Sequence, residues 1–199
     1  MARRRQRPVR RVEAKPVLVL TNGQRTERDY FERLKKFVAT GGVSLTVKFK
    51  NLDPDGLLGV IQRGDYSTYS SVWIVVDHDG VDRKEFLSAC VYQRRRMPPV
   101  VGVVSRPCFE VWLVAHYERV KRYVCQRDVQ VHYSSVAGVS EKSRKAIPDD
   151  FPFDKVGEAV DRCRLVGEEQ PGENEQGPSP STGMPHLVRE LGLVKQPIP

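Results

Sequence analysis

The chain has 199 residues and a formal net charge of +8 at pH 7, and its length suits one compact domain or two small ones. Its 39% hydrophobic and 29% charged residues are typical of a globular protein. No uncharged apolar run approaches the roughly 20 residues that span a bilayer. The Arg-rich start also lacks the apolar segment of a secretory signal. We therefore expect a cytoplasmic protein that does not associate with a membrane.

The cysteines argue against a disulfide scaffold or a zinc finger. They lie far apart, at Cys90, Cys108, Cys125 and Cys163, and form no Cys-x-x-Cys pair. We expect all four to be buried thiols in a reducing compartment.

Most of the positive charge lies in residues 1–16, which carry a net charge of +6 while the remaining residues carry only +2. This segment has too little apolar content to fold alone and is predicted to be a basic flexible tail. Such a tail attracts phosphates through a salt-dependent interaction, although a merely solvated extension is an open alternative. The candidate nucleic-acid-binding residues are Arg3, Arg4, Arg5, Arg7, Arg10 and Arg11, together with Arg25 further along the chain.

The first half of the chain alternates between strand and helix patterns. Residues 17–20 form a continuous apolar run that favours a buried parallel strand, and a helix is predicted from Thr26 to the glycines at 41 and 42. Residues 45–49 alternate in polarity, which indicates a half-buried strand. A second helix is predicted to begin at Pro54, since proline suits a first helical position.

The alternation continues with apolar strands at residues 72–76 and 100–104. A third helix is predicted after Asp82, as its cap, and a fourth from Pro107. This order predicts an α/β domain over about residues 15–125, with a mainly parallel sheet of about four strands and helices on both faces.

The remainder of the chain has weaker patterns. Residues 126–152 are polar and are predicted to be irregular, and short helices are expected around 156–166 and 187–191. Residues 167–180 are rich in Glu, Gly and Pro and are predicted to form a flexible loop. We treat residues 17–199 as a single domain.

Acidic side chains follow two of the predicted strands. In open α/β sheets, ligands bind beyond the carboxyl ends of the strands. Asp77 and Asp79 stand at such an end and could share a divalent cation such as Mg²⁺. Alternatively, Asp77 closes the strand and Asp79 favours the turn. Glu110 lies in the first turn of the fourth helix, where it either favours the helix dipole or reaches a metal.

Other catalytic chemistries have little support. His116 is interpreted as a half-buried structural histidine. Cys108 has no histidine at helical spacing that could act as its base, which argues against a cysteine nucleophile. The chain contains no Gly-x-x-x-x-Gly-Lys-Ser/Thr run, so a P-loop nucleotide site is excluded.

Four motifs together resemble those of the RloB-like family, which comprises small proteins encoded with restriction and abortive-infection loci. The first is Asn-Gly-x-x-Thr-Glu-x-x-Tyr-Phe at residues 22–31, and the second is Asp-x-Asp at 77–79. The third is Ser-x-Pro-Cys-Phe-Glu-x-Trp-Leu at 105–113, and the last is Pro-Ser-Thr at 180–182. The matches span about residues 17–191.

The resemblance implies a Toprim-like fold that holds Mg²⁺ or Mn²⁺ for phosphoryl transfer on nucleic acid. It also implies a role in bacterial antiphage defence under the control of a partner ATPase. The candidate catalytic residues are Glu27, Asp77, Asp79 and Glu110, and the candidate metal ligands are Asn22, Asp77 and Asp79.

The sequence departs from the family pattern at Asn22, where the family has glutamate, and at Arg106, where it tends to have asparagine. Either Glu27 or Glu110 replaces the missing carboxylate, or the site binds metal weakly. The main hypothesis is therefore a metal-dependent nuclease. The alternative is a catalytically degenerate Toprim-like subunit that binds or regulates within an ATPase-containing complex. Phosphatase-like or nucleotidyl-transfer chemistry is a third possibility, and homo-oligomerisation is left open.

Overall fold

The computed structural model describes residues 15–38, 42–94, 98–140 and 146–194. The arginines at positions 3 to 11, which were predicted to bind nucleic acid, lie outside the described residues. Among the described residues, no helix is both long enough and apolar enough to cross a bilayer.

A mainly parallel sheet forms the centre of the described structure. Its strands are β1 (Lys15–Thr21), β2 (Val43–Phe49), β3 (Ser71–Asp77), β4 (Val100–Arg106) and β5 (Ser181–Thr182). They are ordered β2-β1-β3-β4-β5, and only β5 is antiparallel to its neighbour. The predicted α/β class with a mainly parallel sheet is confirmed, and the architecture is consistent with a Toprim-like fold. The fifth strand was not predicted, because two residues carry no alternation pattern.

The helices in the described part of the chain cover both faces of the sheet. They are α1 (Thr26–Val38), α2 (Pro54–Arg63), α3 (Lys84–Arg94), α4 (Glu110–Tyr117), α5 (Gln126–Val136), α6 (Val156–Arg162) and α7 (Met184–Glu190). Alternate residues of a strand point to opposite faces, so Val17 and Val19 of β1 pack with α1 and α4–α7. Leu18 and Leu20 pack with α2 and α3 on the other face. Both faces of β1 are therefore buried, as its continuous apolar sequence predicts.

The parallel register places three strand ends side by side. Thr21 of β1 is opposite Val75 of β3, and Asp77 is opposite Ser105 of β4. The segments that follow β1, β3 and β4 therefore leave the sheet at one edge. Helices α1 and α4 begin in two of these segments, so their first turns lie at the same edge.

Two helix predictions need correction. The fourth helix begins at Glu110 rather than at Pro107, because the backbone first forms a tight turn in which Val111 N–H donates to the Cys108 carbonyl at 3.1 Å. The region predicted to be irregular contains α5. Its buried contacts to the core come mainly from Val129 and Tyr133, and a mostly polar sequence surrounds this short apolar stripe.

The segment from residue 167 to residue 180 contacts the sheet and the turn before α3 through polar side chains. Asn174 Oδ1 accepts the backbone N–H of Gly102 at 2.7 Å, and Gln176 Oε1 accepts that of Arg83 at 2.9 Å. Gln170 Nε2 donates to the Thr182 carbonyl at 2.6 Å. These bonds anchor the segment beside β4 and β5. The flexibility expected for it stays a prediction.

The prediction of four buried cysteines is wrong for Cys125, which is exposed at the start of α5, while Cys90, Cys108 and Cys163 are buried. Burial raises the pKa of Cys90 and of Cys163 to about 12, and it raises that of Cys108 further still. The buried thiols are therefore protonated at neutral pH. This agrees with the argument against a Cys108 nucleophile.

Candidate functional site

A cleft of about 450 Å³ opens at the carboxyl edge of the sheet, between the turn after β1 and the turn after β3. Its lining residues include Asn22, Arg25, Glu27, Asp77 and Asp79. The structure thus brings together five of the predicted site residues from two separate motifs. We call this space the acidic cleft.

Asp77 is the last residue of β3, and its carboxyl group lies in the cleft. Its side-chain atom Oδ1 is buried and has no hydrogen-bond partner among the described residues. Burial, followed by repulsion from Glu27, Glu110 and Asp79, raises its pKa well above the usual value, against a smaller opposing effect of a hydrogen bond from the backbone N–H of Phe109. Leaving a polar atom buried and unpaired is unfavourable, so the arrangement favours a ligand that supplies positive charge.

Glu27 reaches the cleft by folding over Gly23. A methyl group added at Gly23 would lie only 1.8 Å from Oε2 of Glu27, so no larger residue fits there without displacing the carboxylate. The backbone N–H of Gly23 donates to Thr21 Oγ1 at 3.0 Å, which fixes the turn after β1. Although Glu27 opens a helix, its carboxylate is largely buried, with 7% of the residue exposed. Of the neighbouring carboxylates, it raises the pKa of Asp77 most strongly.

Glu110 is buried in the first turn of α4, with 3% of the residue exposed. It does not line the acidic cleft, but its charge contributes to the raised pKa of Asp77. Of the two carboxylates that could replace the missing glutamate at position 22, the structure therefore places Glu27 in the cleft and Glu110 behind Asp77.

Asp79 presents its side chain at the cleft because the backbone turns sharply out of β3. Its φ angle is +49°, and that of the following Gly80 is +75°. The left-handed region disfavours most side chains, whereas aspartate tolerates it better than most. The turn is closed by the Gly80 N–H, which donates to Nδ1 of His78 at 3.1 Å. Asp82, which was expected to cap the next helix, accepts the Lys84 N–H at 3.1 Å.

Two basic residues lie beside these carboxylates. Arg25 is exposed and lines the acidic cleft. Arg106, at the end of β4, lines an adjoining cavity together with His78 and donates to the Gly177 carbonyl at 3.4 Å. Burial lowers the pKa of His78, and the charges of Arg106 and Arg83 lower it further. The carboxyl edge of the sheet therefore combines an acidic centre with flanking positive charge.

His116 is fully buried rather than half-buried, with 1% exposure. Its Nε2 accepts the Tyr30 hydroxyl at 3.1 Å, and its Nδ1 donates to the Pro152 carbonyl at 3.0 Å. Burial lowers its pKa to about 4. The structural role predicted for His116 fits these contacts, since both ring nitrogens are satisfied inside the core.

Sequence reasoning missed Gln126, which lines the acidic cleft from the first position of α5. It lay within the segment predicted to be irregular. A local signal was present, because Asp128 accepts the backbone N–H groups of Val124 and Cys125 at 3.0 and 3.2 Å and so caps α5.

The fold and the cleft together define an α/β protein whose carboxylates converge at the carboxyl edge of a mainly parallel sheet. The family model of the RloB-like proteins matches residues 17–191. The chain therefore belongs to the RloB-like family. Comparison with curated proteins and with solved structures found no match.

Proposed function

We propose that the chain is a divalent-metal-dependent nuclease whose site is the acidic cleft. The observation that carries this proposal is the buried Oδ1 of Asp77, which has no hydrogen-bond partner in the described part of the chain and is surrounded by three other carboxylates. Burial first, and then repulsion from these carboxylates, raises the pKa of Asp77, so without a cation protonation relieves the unfavourable charge. A divalent cation offers a second way to relieve it.

The donor set fits Mg²⁺ or Mn²⁺. The side chains that would hold the ion are Asp77 and Asp79, with Glu27 and the amide oxygen of Asn22 on the opposite wall. All of them offer oxygen, which hard divalent cations prefer. When bound, such an ion stabilises the negative charge that develops on a phosphodiester during phosphoryl transfer.

The side chains must reorient to take up an ion. Among the described residues, no three His, Cys, Asp or Glu side chains stand close enough to hold a metal as they are placed. Asp77 has an oxygen without a hydrogen bond within that region, and Asp79 is exposed on its turn, so each has an oxygen that could turn toward an ion. The backbone already brings the required residue types to one cleft.

The chain's own residues supply the other functions that a nuclease requires. Arg25 offers a positive charge at the cleft mouth for a substrate phosphate. The basic residues of the tail would add sequence-independent affinity for nucleic acid. With Asn22 in place of a glutamate, Glu27 would supply the carboxylate that is missing from this wall of the cleft.

Substitution of Asp77 by asparagine tests this proposal, because the amide keeps the size of the side chain and its bond to Phe109. We expect Asp77→Asn to abolish Mn²⁺ binding in calorimetry and to reduce cleavage of single-stranded and duplex DNA and RNA roughly a thousandfold. The matched control is Asp161→Asn, which removes an exposed carboxylate on α6. Equal cleavage by the wild type and Asp77→Asn would overturn the proposal.

Asn22 favours a second function, in which the chain binds its target without cutting it. A neutral amide at this position lowers the negative charge of the cleft, and the cleft also contains Arg25. In that case the protein is a regulatory or target-binding subunit. Target binding that persists in the absence of any cleavage, across Mg²⁺ and Mn²⁺, would favour this function over the nuclease.

We also propose an antiphage role controlled by a partner ATPase. Membership of the RloB-like family supports this, given the genetic setting that the resemblance implies. Co-expression of the chain with the ATPase encoded beside it, followed by purification and a toxicity assay, provides the test. Toxicity that the ATPase does not change would argue against such control.

A further inference from the structure

Two further cavities lie in sequence beside the acidic cleft. The second cavity, of about 390 Å³, shares Asp79 and Gln126 with the cleft. The third, of about 500 Å³, shares Tyr123 and Val124 with the second. The shared residues place the three cavities next to one another, in a row that starts at the carboxylates and ends beside α5. We call it the extended groove.

Positive charge increases along the extended groove away from the carboxylates. Arg106 lines the second cavity, and Lys121, Arg122 and Arg127 line the third. Lys121 and Arg122 are exposed. A basic path that ends at an acidic centre has the charge pattern needed to hold a polyanion while the reaction site holds cations.

The wall between the second and third cavities is held in place by hydrogen bonds. The Tyr123 hydroxyl donates to Nδ1 of His132 at 2.7 Å, and Nε2 of His132 donates to Oε1 of Glu118 at 2.8 Å. His132 is 8% exposed, so this chain of bonds is anchored in the protein. The Tyr123 ring is therefore fixed at the boundary between the two cavities.

The neighbouring Val124 is 98% exposed. Its backbone N–H and that of Cys125 donate to the Asp128 carboxylate, which orients the Asp128 charge toward the backbone. A fixed aromatic ring beside an exposed apolar side chain, with cations on either side, resembles the surfaces on which unpaired bases stack.

We propose that the extended groove binds single-stranded nucleic acid and leads it into the acidic cleft. This inference rests on the nucleic-acid substrate of the proposed function and narrows it to unpaired strands. The backbone phosphates lie along Arg106, Lys121 and Arg122, and a base stacks on Tyr123. A duplex fits this surface less well, because its bases are already stacked on one another and cannot face Tyr123.

Binding is measured on the full chain in EDTA, by fluorescence anisotropy of a labelled single-stranded oligonucleotide. We expect Lys121→Gln/Arg122→Gln to weaken binding roughly tenfold near 0.1 M salt and to reduce the slope of log affinity against log salt by about 0.7 for each phosphate that is no longer neutralised. We expect Tyr123→Leu to weaken binding roughly tenfold, and we expect Tyr123→Phe, which keeps the ring but loses its hydrogen bond to His132, to weaken it less.

The matched control is Lys36→Gln/Arg63→Gln. These two cations lie in the last turns of α1 and α2, at the opposite edge of the sheet from the groove. The control removes the same charge from the protein and leaves the basic tail intact. We expect it to change affinity and salt slope far less than the groove variant.

Three outcomes would overturn the extended groove as a strand-binding surface. The first is an equal loss of affinity in the control variant. The second is duplex binding that is as tight as single-strand binding and is unchanged by Tyr123→Leu. The third is a polyglutamate peptide that competes as effectively as the oligonucleotide. The last would identify an acidic peptide as the occupant. Binding is measured in EDTA and cleavage in a separate assay with Mg²⁺ or Mn²⁺, so the two proposals can fail independently. Binding that depends on the groove, together with no cleavage, supports the groove and contradicts the nuclease. Cleavage that the groove variants leave unchanged supports the nuclease and contradicts the groove.

Discussion

Trp112 donates its indole N–H to the Tyr30 hydroxyl at 2.8 Å, and this buried bond joins α1 to α4. Tyr30 lies three residues after Glu27, and Trp112 lies two residues after Glu110. The bond therefore sets the relative positions of the first turns that carry these two carboxylates. Since Trp112 donates to Tyr30, the Tyr30 proton points to Nε2 of His116, and the His116 proton stays on Nδ1. The aromatic residues of two separate motifs thus act together behind the acidic cleft.

Removal of the Tyr30 hydroxyl should destabilise the protein without adding or removing charge. Tyr30→Phe leaves the indole N–H of Trp112 and Nε2 of His116 buried without their partner, which costs about 1–3 kcal/mol in the free energy of unfolding. Chemical denaturation measures the loss. Tyr92→Phe, at a tyrosine that is 61% exposed, is the control and should be close to neutral. An equal effect of the two substitutions would contradict the role assigned to Tyr30.

His116 should make the stability of the protein depend on pH in mildly acidic solution. Its pKa is about 4 in the folded chain, against the ordinary histidine value of 6.5, so the unfolded chain binds more protons between these values. The neutral His116 side chain contributes about 3 kcal/mol to the free energy of unfolding above pH 6.5, and this contribution is lost as the pH falls toward 4. Denaturation at a series of pH values should show a shallower dependence for His116→Gln than for the wild type. If stability depends on pH equally in the variant and the wild type, protonation of His116 does not cause the loss of stability.

The strands and most helices could be predicted because each is carried by a local pattern. Val17 to Leu20 are apolar on both faces because helices cover both sides of β1. The strand β5 could not be predicted, because its two residues are defined by distant partners such as Ser105, whose Oγ lies 2.8 Å from Oγ1 of Thr182.

The candidate site was predictable in part. The Asp-x-Asp motif and the turn after β1 identified its two walls, which the parallel register then brings together. The positions of Glu27 and Glu110 could not be separated from the sequence, since both open a helix. What distinguishes them is the space above Gly23, which only the folded chain reveals.

Gly23→Ala should impair the acidic cleft selectively. The added methyl group would lie 1.8 Å from Oε2 of Glu27 and would force that carboxylate out of its position. We expect weaker Mn²⁺ binding and slower cleavage, measured by calorimetry and a nuclease assay. Gly157→Ala, where nothing lies within 4 Å of the new methyl group, is the control and should leave both unchanged. Wild-type metal affinity in Gly23→Ala would show that the position of Glu27 is not required.

Asp77→Asn should stabilise the metal-free protein. The pKa of Asp77 is raised in the folded chain, mainly by burial, so above about pH 4 the folded state binds more protons than the unfolded state. The ionised carboxylate therefore lowers stability increasingly as the pH rises through this range. Thermal denaturation in EDTA should give a higher melting temperature for Asp77→Asn than for the wild type at pH 8, and a smaller difference near pH 4. Added Mn²⁺ should stabilise only the wild type. If the variant is less stable than the wild type at pH 8, the ionised Asp77 carboxylate does not destabilise the folded protein.

Asn22→Glu should strengthen the site, because it restores a charged oxygen to the wall that faces Asp77 and Asp79. We expect Mn²⁺ affinity to rise about tenfold or more and cleavage to rise with it. The control is Gln24→Glu, which adds the same charge at an exposed position of the same turn. An equal gain in both variants would indicate a general effect of charge rather than a ligand at position 22. If Asn22→Glu binds metal more tightly and still cuts neither DNA nor RNA, the missing glutamate is not what limits activity. The chain is then better described as a binding subunit than as a nuclease.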